Sequence, residues 1–249
     1  MMDLFISDLH LHESRPEITQ LFFSFIAGPA RRARQLTILG DLFEYWAGDD
    51  DADTPLHAQV CAALKSLSDR GITLRFLAGN RDFLIRQGFS EATGATLLPD
   101  LIVESIAGTA TLLLHGDTLC TDDTEYQKYR VQIRDAKFIE TFLRRPLAER
   151  KTYIESLRQR SETEKGHKPM SIMDVNETSV RNAFSAPNVT RMIHGHTHRL
   201  ATHRYEIDGK ACERWVLGDW GVKGNYLECG EAGWRFCSWD GNQPTTIKS

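Results

Sequence analysis

Five short apolar runs in this chain each lead into a side chain able to bind a metal ion. Leu4-Phe5-Ile6 leads to Asp8 and His10, Leu36-Thr37-Ile38-Leu39-Gly40 to Asp41, and Leu74-Arg75-Phe76-Leu77-Ala78-Gly79 to Asn80. Leu112-Leu113-Leu114 ends at His115, and Met192-Ile193 runs into His196 and His198. Runs this short and apolar, with helix-like stretches between some of them, read as buried strands of an α/β sheet. Residues just past the carboxyl ends of such strands face the crevice where α/β proteins bind ligands. The pattern therefore predicts seven metal-competent groups at one edge of one sheet.

A mixed set of carboxylates, imidazoles and one amide suits Mn²⁺, Fe²⁺ or Zn²⁺, whereas thiolates would point to structural zinc. Seven donors are too many for one tetrahedral ion. They suit two ions about 3.5–4 Å apart that share a bridge and leave positions for water and substrate. Asp41 is the expected bridge, with each oxygen on a different ion. Asp8 and His10 point the same way on a strand of period two, so one ion can take both. Singly, Asp8-x-His10 also reads as a turn or cap, and Gly40-Asp41, Gly79-Asn80 or His115-Gly116-Asp117 as ordinary turns. His194-Gly195-His196-Thr197-His198 is more specific, because alternating imidazoles relieved by glycine have little use in a core. His194 is read as a neighbour, since seven donors already satisfy two ions.

The formal charge of −4 and pI near 6.1 argue against a general nucleic-acid binder, which normally carries a basic balance. Five cysteines with no C-x-x-C pair favour free thiols in a reducing compartment. No secretory leader is expected, because the first strand begins almost at Met1. Leu21 to Ala27 is apolar but much too short to span a bilayer.

One domain over residues 1–249 is expected, with an insertion. Pro16 to Ala27 reads as a helix. Thr54-Pro55 reads as an N-cap and N1 pair opening a helix with the stripe Leu56, Val60, Leu64 and Leu67, ending near Gly71. Gly88 to Thr109 mixes turn residues with short extended runs. From about residue 122 to 183 the strand signal gives way to charged, helix-favouring sequence. Between Asp122 and Lys168 there are twelve Lys or Arg against nine Asp or Glu. Such a basic lid on an acidic chain suits an anionic substrate or lipid surface, or is simply a solvated helix pair. Phe138, Ile139, Phe142, Leu143, Ile154 and Leu157 are read either as a groove for acyl chains or as the packing of a helical hairpin. After His198, Arg214-Trp215-Val216-Leu217 and Trp234-Arg235-Phe236-Cys237 read as antiparallel strands completing a two-sheet sandwich.

Asp8-x-His10, Gly40-Asp41, Gly79-Asn80, His115 and Gly195-His196-Thr197-His198 resemble the signature of the calcineurin-like metallophosphoesterases. The longer blocks Gly40 to Trp46, Gly79 to Leu84, His115 to Asp123, Ile172 to Asn176 and His194 to Arg199 resemble, more closely, the UDP-2,3-diacylglucosamine hydrolases of lipid A synthesis. The similarity runs from about Met2 to Trp220. It implies a four-layer αββα sandwich with a helical cap and two Mn²⁺ ions. One ion would be held by Asp8, His10, Asp41 and His198, the other by Asp41, Asn80, His115 and His196. It also implies metal-activated water attacking the α-phosphorus of UDP-2,3-diacylglucosamine to give UMP and 2,3-diacylglucosamine 1-phosphate. A monomer peripheral on the cytoplasmic face of the inner membrane, with no nucleic-acid partner, is expected.

Asp41, Asn80, Arg81 and His196 are the expected catalytic residues. Many superfamily members carry Gly-Asn-His where this chain has Gly79-Asn80-Arg81. Arginine is no acid near neutral pH, but its fork binds phosphate oxygens in a bidentate manner. That suits a leaving group that departs already anionic, as from a phosphoanhydride, although Asp82 also stands near as a proton donor. The resemblance places Asp123, Ser161 and Lys168 in the substrate site, beside Asn80, Arg81 and His196. Lys165 stands where the family carries a small polar residue; the run from Glu162 to His167 reads by itself as an exposed turn, and in the substrate site the lysine would reach a phosphate as a mobile point charge. Leu200 replaces the family's proline after His198-Arg199. Another binuclear phosphodiesterase or nucleotide pyrophosphatase would share every ligand. A non-catalytic scaffold would be expected to lose some, and none is missing.

Overall fold

The computed structural model describes residues 2–165 and 174–247, with residues 160–165 as backbone. In chain order these form β1 (Asp3–Ile6), α1 (Pro16–Ala27), β2 (Gln35–Ile38), α2 (Pro55–Ser68), β3 (Thr73–Leu77), α3 (Gln87–Thr93), β4 (Thr96–Leu98), β5 (Leu101–Ile106) and β6 (Thr109–Leu114). Then come α4 (Thr124–Ile133), α5 (Ala136–Leu143), α6 (Leu147–Lys165), α7 (Glu177–Ser185), β7 (Arg191–His194), β8 (Ala201–Ile207), β9 (Lys210–Val216), β10 (Gly224–Gly230), β11 (Gly233–Trp239) and β12 (Pro244–Thr246).

The strands divide between two sheets, which corrects the expectation of a single sheet edge. A seven-stranded sheet runs β12-β11-β10-β1-β2-β3-β4, and a five-stranded sheet runs β5-β6-β7-β9-β8. Apolar runs on β1, β2 and β6 are buried on both faces, so sequence periodicity could not say which sheet each joined. The period-two alternation now has a meaning. On β1, Leu4 and Ile6 pack with Phe22 and Val60 of α1 and α2, while Phe5 faces Leu113 and Ile193 of the opposing sheet. On β6, Leu112 and Leu114 turn outward to Val180 and Phe184 of α7. The layers are thus helix, sheet, sheet, helix, the four-layer sandwich expected of the calcineurin-like fold. β11 is antiparallel to β10, as expected, whereas β9 is antiparallel to β8 but parallel to β7.

Two local readings change. Thr54 precedes α2 without capping it, because its hydroxyl donates to the Asp51 carbonyl. The Gly88 to Thr109 stretch contains the helix α3, closed by Gly94 in the left-handed region at φ +77°, a conformation open to glycine at little steric cost.

The helices after β6 are capped by their own acids. Asp123 accepts from the Tyr126 N–H, and Asp135 from those of Lys137 and Phe138. Their basic residues turn to the acidic core. Arg130 and Arg134 pair with Asp100, Lys151 with Asp51, Arg150 with Asp50 and Arg158 with Glu44. Arg150, among the largest fully buried side chains, also donates to the carbonyls of Ala47 and Arg145. Much of the basic excess therefore binds helices to core. Phe142 is buried, and Phe138, Ile139, Leu143 and Ile154 pack against the cluster under α1 and α2. All five cysteines are buried free thiols. Among the described residues no helix is long and apolar enough to cross a membrane.

Candidate metal centre

The loops after β1 and β2 run side by side. The N–H groups of Asp8, His10 and Leu11 donate to the carbonyls of Gly40, Asp41 and Leu42 in turn. Asp8, His10 and Asp41 therefore lie at one level, all at positive φ (57°, 50° and 52°). His196 and His198 share that backbone state at φ 65° and 59°. Left-handed backbone in five bulky residues costs energy, and such strain gathers at functional sites. The loops after β3, β6 and β7 arrive from beside and from the opposing sheet. Gly195 N–H donates to the His115 carbonyl, and His196 N–H to Asp8 Oδ2.

The seven expected donors form two adjoining groups. In the first, His10 Nε2 lies 3.3 Å from His198 Nε2 and 3.9 Å from Asp41 Oδ2, and His198 Nε2 lies 3.4 Å from Asp8 Oδ1. In the second, Asn80 Oδ1 is 3.0 Å from His115 Nε2 and 2.9 Å from His196 Nδ1, and Asp41 Oδ2 is 3.7 Å from His115 Nε2. Asp41 Oδ2 thus faces both groups. Its Oδ1 instead accepts from the Arg81 N–H at 2.8 Å. The geometry offers one shared oxygen, not the separate oxygen for each ion expected from sequence.

The donor set fits a pair of cations on its own evidence. Asp8 Oδ1 is buried with no hydrogen bond, an arrangement that is costly unless a cation is held there. Burial works against the charge on Asp8, yet the nearby imidazoles of His198, His115 and His10 hold it far below the usual carboxylate range. Burial would lower His115, but Asp41, Asp8 and Asp117 push it up to about 9. His196 goes the other way, to about 4, through burial and the nearby His115.

Neighbouring groups brace this set. His115 Nδ1 meets the Leu39 carbonyl at 2.8 Å, leaving Nε2 toward Asn80, the back-to-front arrangement of ligating histidines. His198 Nδ1 faces Asp219 Oδ2 at 3.8 Å. Asp117 accepts from Tyr126 Oη at 2.8 Å and Arg130 Nε at 2.6 Å, and the Tyr126 ring stacks on His196 at 6.1 Å between centroids. His194 is buried and inward, contacting Arg214 at 3.0 Å and the Gly195 carbonyl at 2.8 Å. Burial and Arg214 lower it to about 3. It stands outside both groups.

Asp82 differs from its expected role as a proton donor. It is fully buried and accepts from the N–H groups of Gly79, Asp41 and Leu42. It clamps the two ligand loops together. Arg81 extends NH1 to 3.5 Å from Glu44 Oε1. Burial opposes charge on Glu44, but His10 and then Arg81 and Arg158 hold it down at about 2. Asp123 lies at the start of α4 as its cap. Ser161 and Lys165 fall on α6 where side chains lie outside the described residues, as does Lys168 entirely. Sequence reasoning passed over Glu44, Asp117, Tyr126 and Asp219. Glu44 and Asp117 do lie within the blocks beginning at Gly40 and His115, and Asp122 meets Asn176 at 2.9 Å, joining two blocks far apart in the chain.

The calcineurin-like phosphoesterase family matches residues 4–200. A UDP-2,3-diacylglucosamine hydrolase of Aromatoleum aromaticum is 50% identical over 233 residues, covering 94% of this chain and 95% of that one. Those of Nitrosococcus oceani and Marinobacter nauticus are each 44% identical, over 236 and 248 residues, covering 95% and 100% of this chain and 94% and 97% of theirs. With similarity spanning the metal centre and nearly all of both chains, this protein belongs to the UDP-2,3-diacylglucosamine hydrolase family of calcineurin-like phosphoesterases and is a metal-dependent hydrolase.

Proposed function

We propose that the chain hydrolyses the pyrophosphate bond of UDP-2,3-diacylglucosamine, giving UMP and 2,3-diacylglucosamine 1-phosphate in lipid A synthesis. Asp8, His10, Asp41 and His198 would hold one Mn²⁺, and Asp41, Asn80, His115 and His196 the other. When bound, the ions supply Lewis acidity and bring the pKa of water toward neutrality. Arg81 binds phosphoryl oxygens and neutralises charge that builds on them. One observation carries the choice of reaction: Asp82, the acid beside Arg81, spends its carboxylate on backbone N–H groups. The position thus presents a phosphate clamp whose neighbouring acid is already engaged, and a sugar 1-phosphate leaves without needing a proton.

Residues 122–183 are read as a lid on a single domain, with Asp123, Ser161, Lys165 and Lys168 as substrate contacts. A cavity of about 300 Å³ has one side made of Phe76, Phe83, Leu97, Leu98 and Ile139 and another carrying Arg86, Asp100 and Arg134; the apolar side suits an acyl chain. Tyr129, Val131 and Tyr153 expose apolar surface on α4 and α6. Such surface suits contact with a lipid face, and we read the chain as a monomer acting at the cytoplasmic face of the inner membrane.

Two experiments test this. Hydrolysis in H₂¹⁸O, followed by ³¹P NMR, is expected to place the label in UMP. Label in the sugar phosphate, or release of UDP, would mean a different bond is attacked. Chelation is expected to abolish turnover and Mn²⁺ to restore it. Because His115 keeps a proton up to about 9 without a cation, the ion must displace that proton. Apparent Mn²⁺ affinity should rise with pH toward that value and fall as pH drops. An affinity flat between pH 6 and 9 would remove His115 from the ligand set.

A further inference from the structure

Glu44 lies outside the seven donors yet touches three functional elements. Its N–H donates to the Leu11 carbonyl at 3.1 Å beside the parallel Leu11–Phe43 bridge, which sets it next to the His10 loop. Its side chain is 13% exposed. Oε2 faces His10 Nδ1 at 3.3 Å, behind the ring whose Nε2 points at Asp8, Asp41 and His198. Oε1 meets Arg158 Nε of α6 at 3.0 Å and Arg81 NH1 at 3.5 Å.

Each oxygen has a separate consequence. A carboxylate behind a ligating imidazole fixes its tautomer and ring orientation and raises its basicity. A carboxylate oxygen shared by two guanidiniums holds like charges together that would otherwise separate. Two convergent guanidiniums make a receptor for phosphate oxygens. Building on the phosphoanhydride reading above, we propose that Glu44 is a positioning residue that serves both halves of the site, orienting His10 toward the first metal and holding Arg158 beside Arg81 as a second arm of the phosphate clamp.

The test separates these roles from simple tethering of α6. Mn²⁺ binding is titrated by electron paramagnetic resonance of the free ion, with no substrate present, and steady-state kinetics are then run at saturating Mn²⁺. Glu44→Gln keeps the shape and removes the charge; it is expected to weaken Mn²⁺ binding about 10–100-fold, the usual effect of losing a partner behind a ligand, and to raise KM. Arg158→Ala is expected to raise KM and leave Mn²⁺ binding at the wild-type value. Wild-type Mn²⁺ affinity in Glu44→Gln would overturn the proposal, as would the same metal affinity in both variants. Should Glu44→Gln not fold, Glu44→Asp carries the test, because its shorter carboxylate draws back from His10; unchanged affinity there also overturns it. Wild-type protein that binds Mn²⁺ but leaves UDP-2,3-diacylglucosamine intact would instead count against the substrate, while the titration still reports on Glu44.

Discussion

Asp41→Ala should lower turnover by at least about 10³-fold, roughly 4 kcal/mol of transition-state stabilisation, and reduce bound metal from two ions to one or none. Asp41 Oδ2 faces imidazoles of both groups, at 3.9 Å from His10 Nε2 and 3.7 Å from His115 Nε2. The neighbouring acid Asp82, on the loop after β3, cannot take its place, because it is bound to backbone. Stability should behave differently from activity. Burial and Asp41 itself push Asp82 up to about 6, so the substitution relieves repulsion between buried acids. It also strands the Arg81 N–H that Asp41 Oδ1 accepted. These oppose each other, and the metal-free variant should melt within about 1 kcal/mol of wild type. Inductively coupled plasma analysis and thermal melts check both parts. Retained Mn²⁺-dependent turnover within tenfold of wild type would sink the shared-oxygen assignment.

The seven donors were legible in sequence because each follows a strand core, and strand ends are where an α/β fold must present its chemistry. The groups that aim those donors were not. Glu44, Asp117 and Asp219 also come shortly after apolar runs, but nothing local separates an acid that orients a histidine from one that faces water. The sheet assignment failed for a related reason. Leu112 to Leu114 are apolar at every position and Leu36 to Leu39 at all but the buried Thr37, and only tertiary pairing sends β6 beside β7 and β2 beside β1. Consequently the candidate metal centre lies between two sheets, with Asp8, His10, Asp41 and Asn80 after strands of one and His115, His196 and His198 after strands of the other. Charge misled in the opposite sense. The helices after β6 carry a basic excess, but composition cannot report that Arg130 and Arg134 pair with Asp100, Arg150 with Asp50, Lys151 with Asp51 and Arg158 with Glu44 on the body of the sandwich.

Joining ligands from two sheets demands close approach, and Gly195→Ala tests that demand. A Cβ at Gly195 would overlap Ser7 Oγ and Asp8 Oδ2, both locked in place: Ser7 Oγ bonds Asp8 Oδ2, which also accepts the His196 N–H. To admit one methyl group, the end of β7 must move away from β1. That displaces Asp8 from one side and carries His196 and His198 off on the other. Overpacking of this kind costs about 1–3 kcal/mol of stability, while misplacement of reacting groups by about 1 Å costs on the order of 10²-fold in rate. Activity should therefore fall by about 10²-fold or more, with weakened Mn²⁺ binding, in a protein that still folds. Gly221→Ala is the matched control. It lies in the neighbouring loop with nothing within 4 Å of an added Cβ, and should leave activity within about twofold of wild type, since surface changes of this kind stay within about ±0.5 kcal/mol. Equal activity in the two variants would show that the sheets can separate without disturbing the ligands, and would undo the convergence on which the metal centre depends.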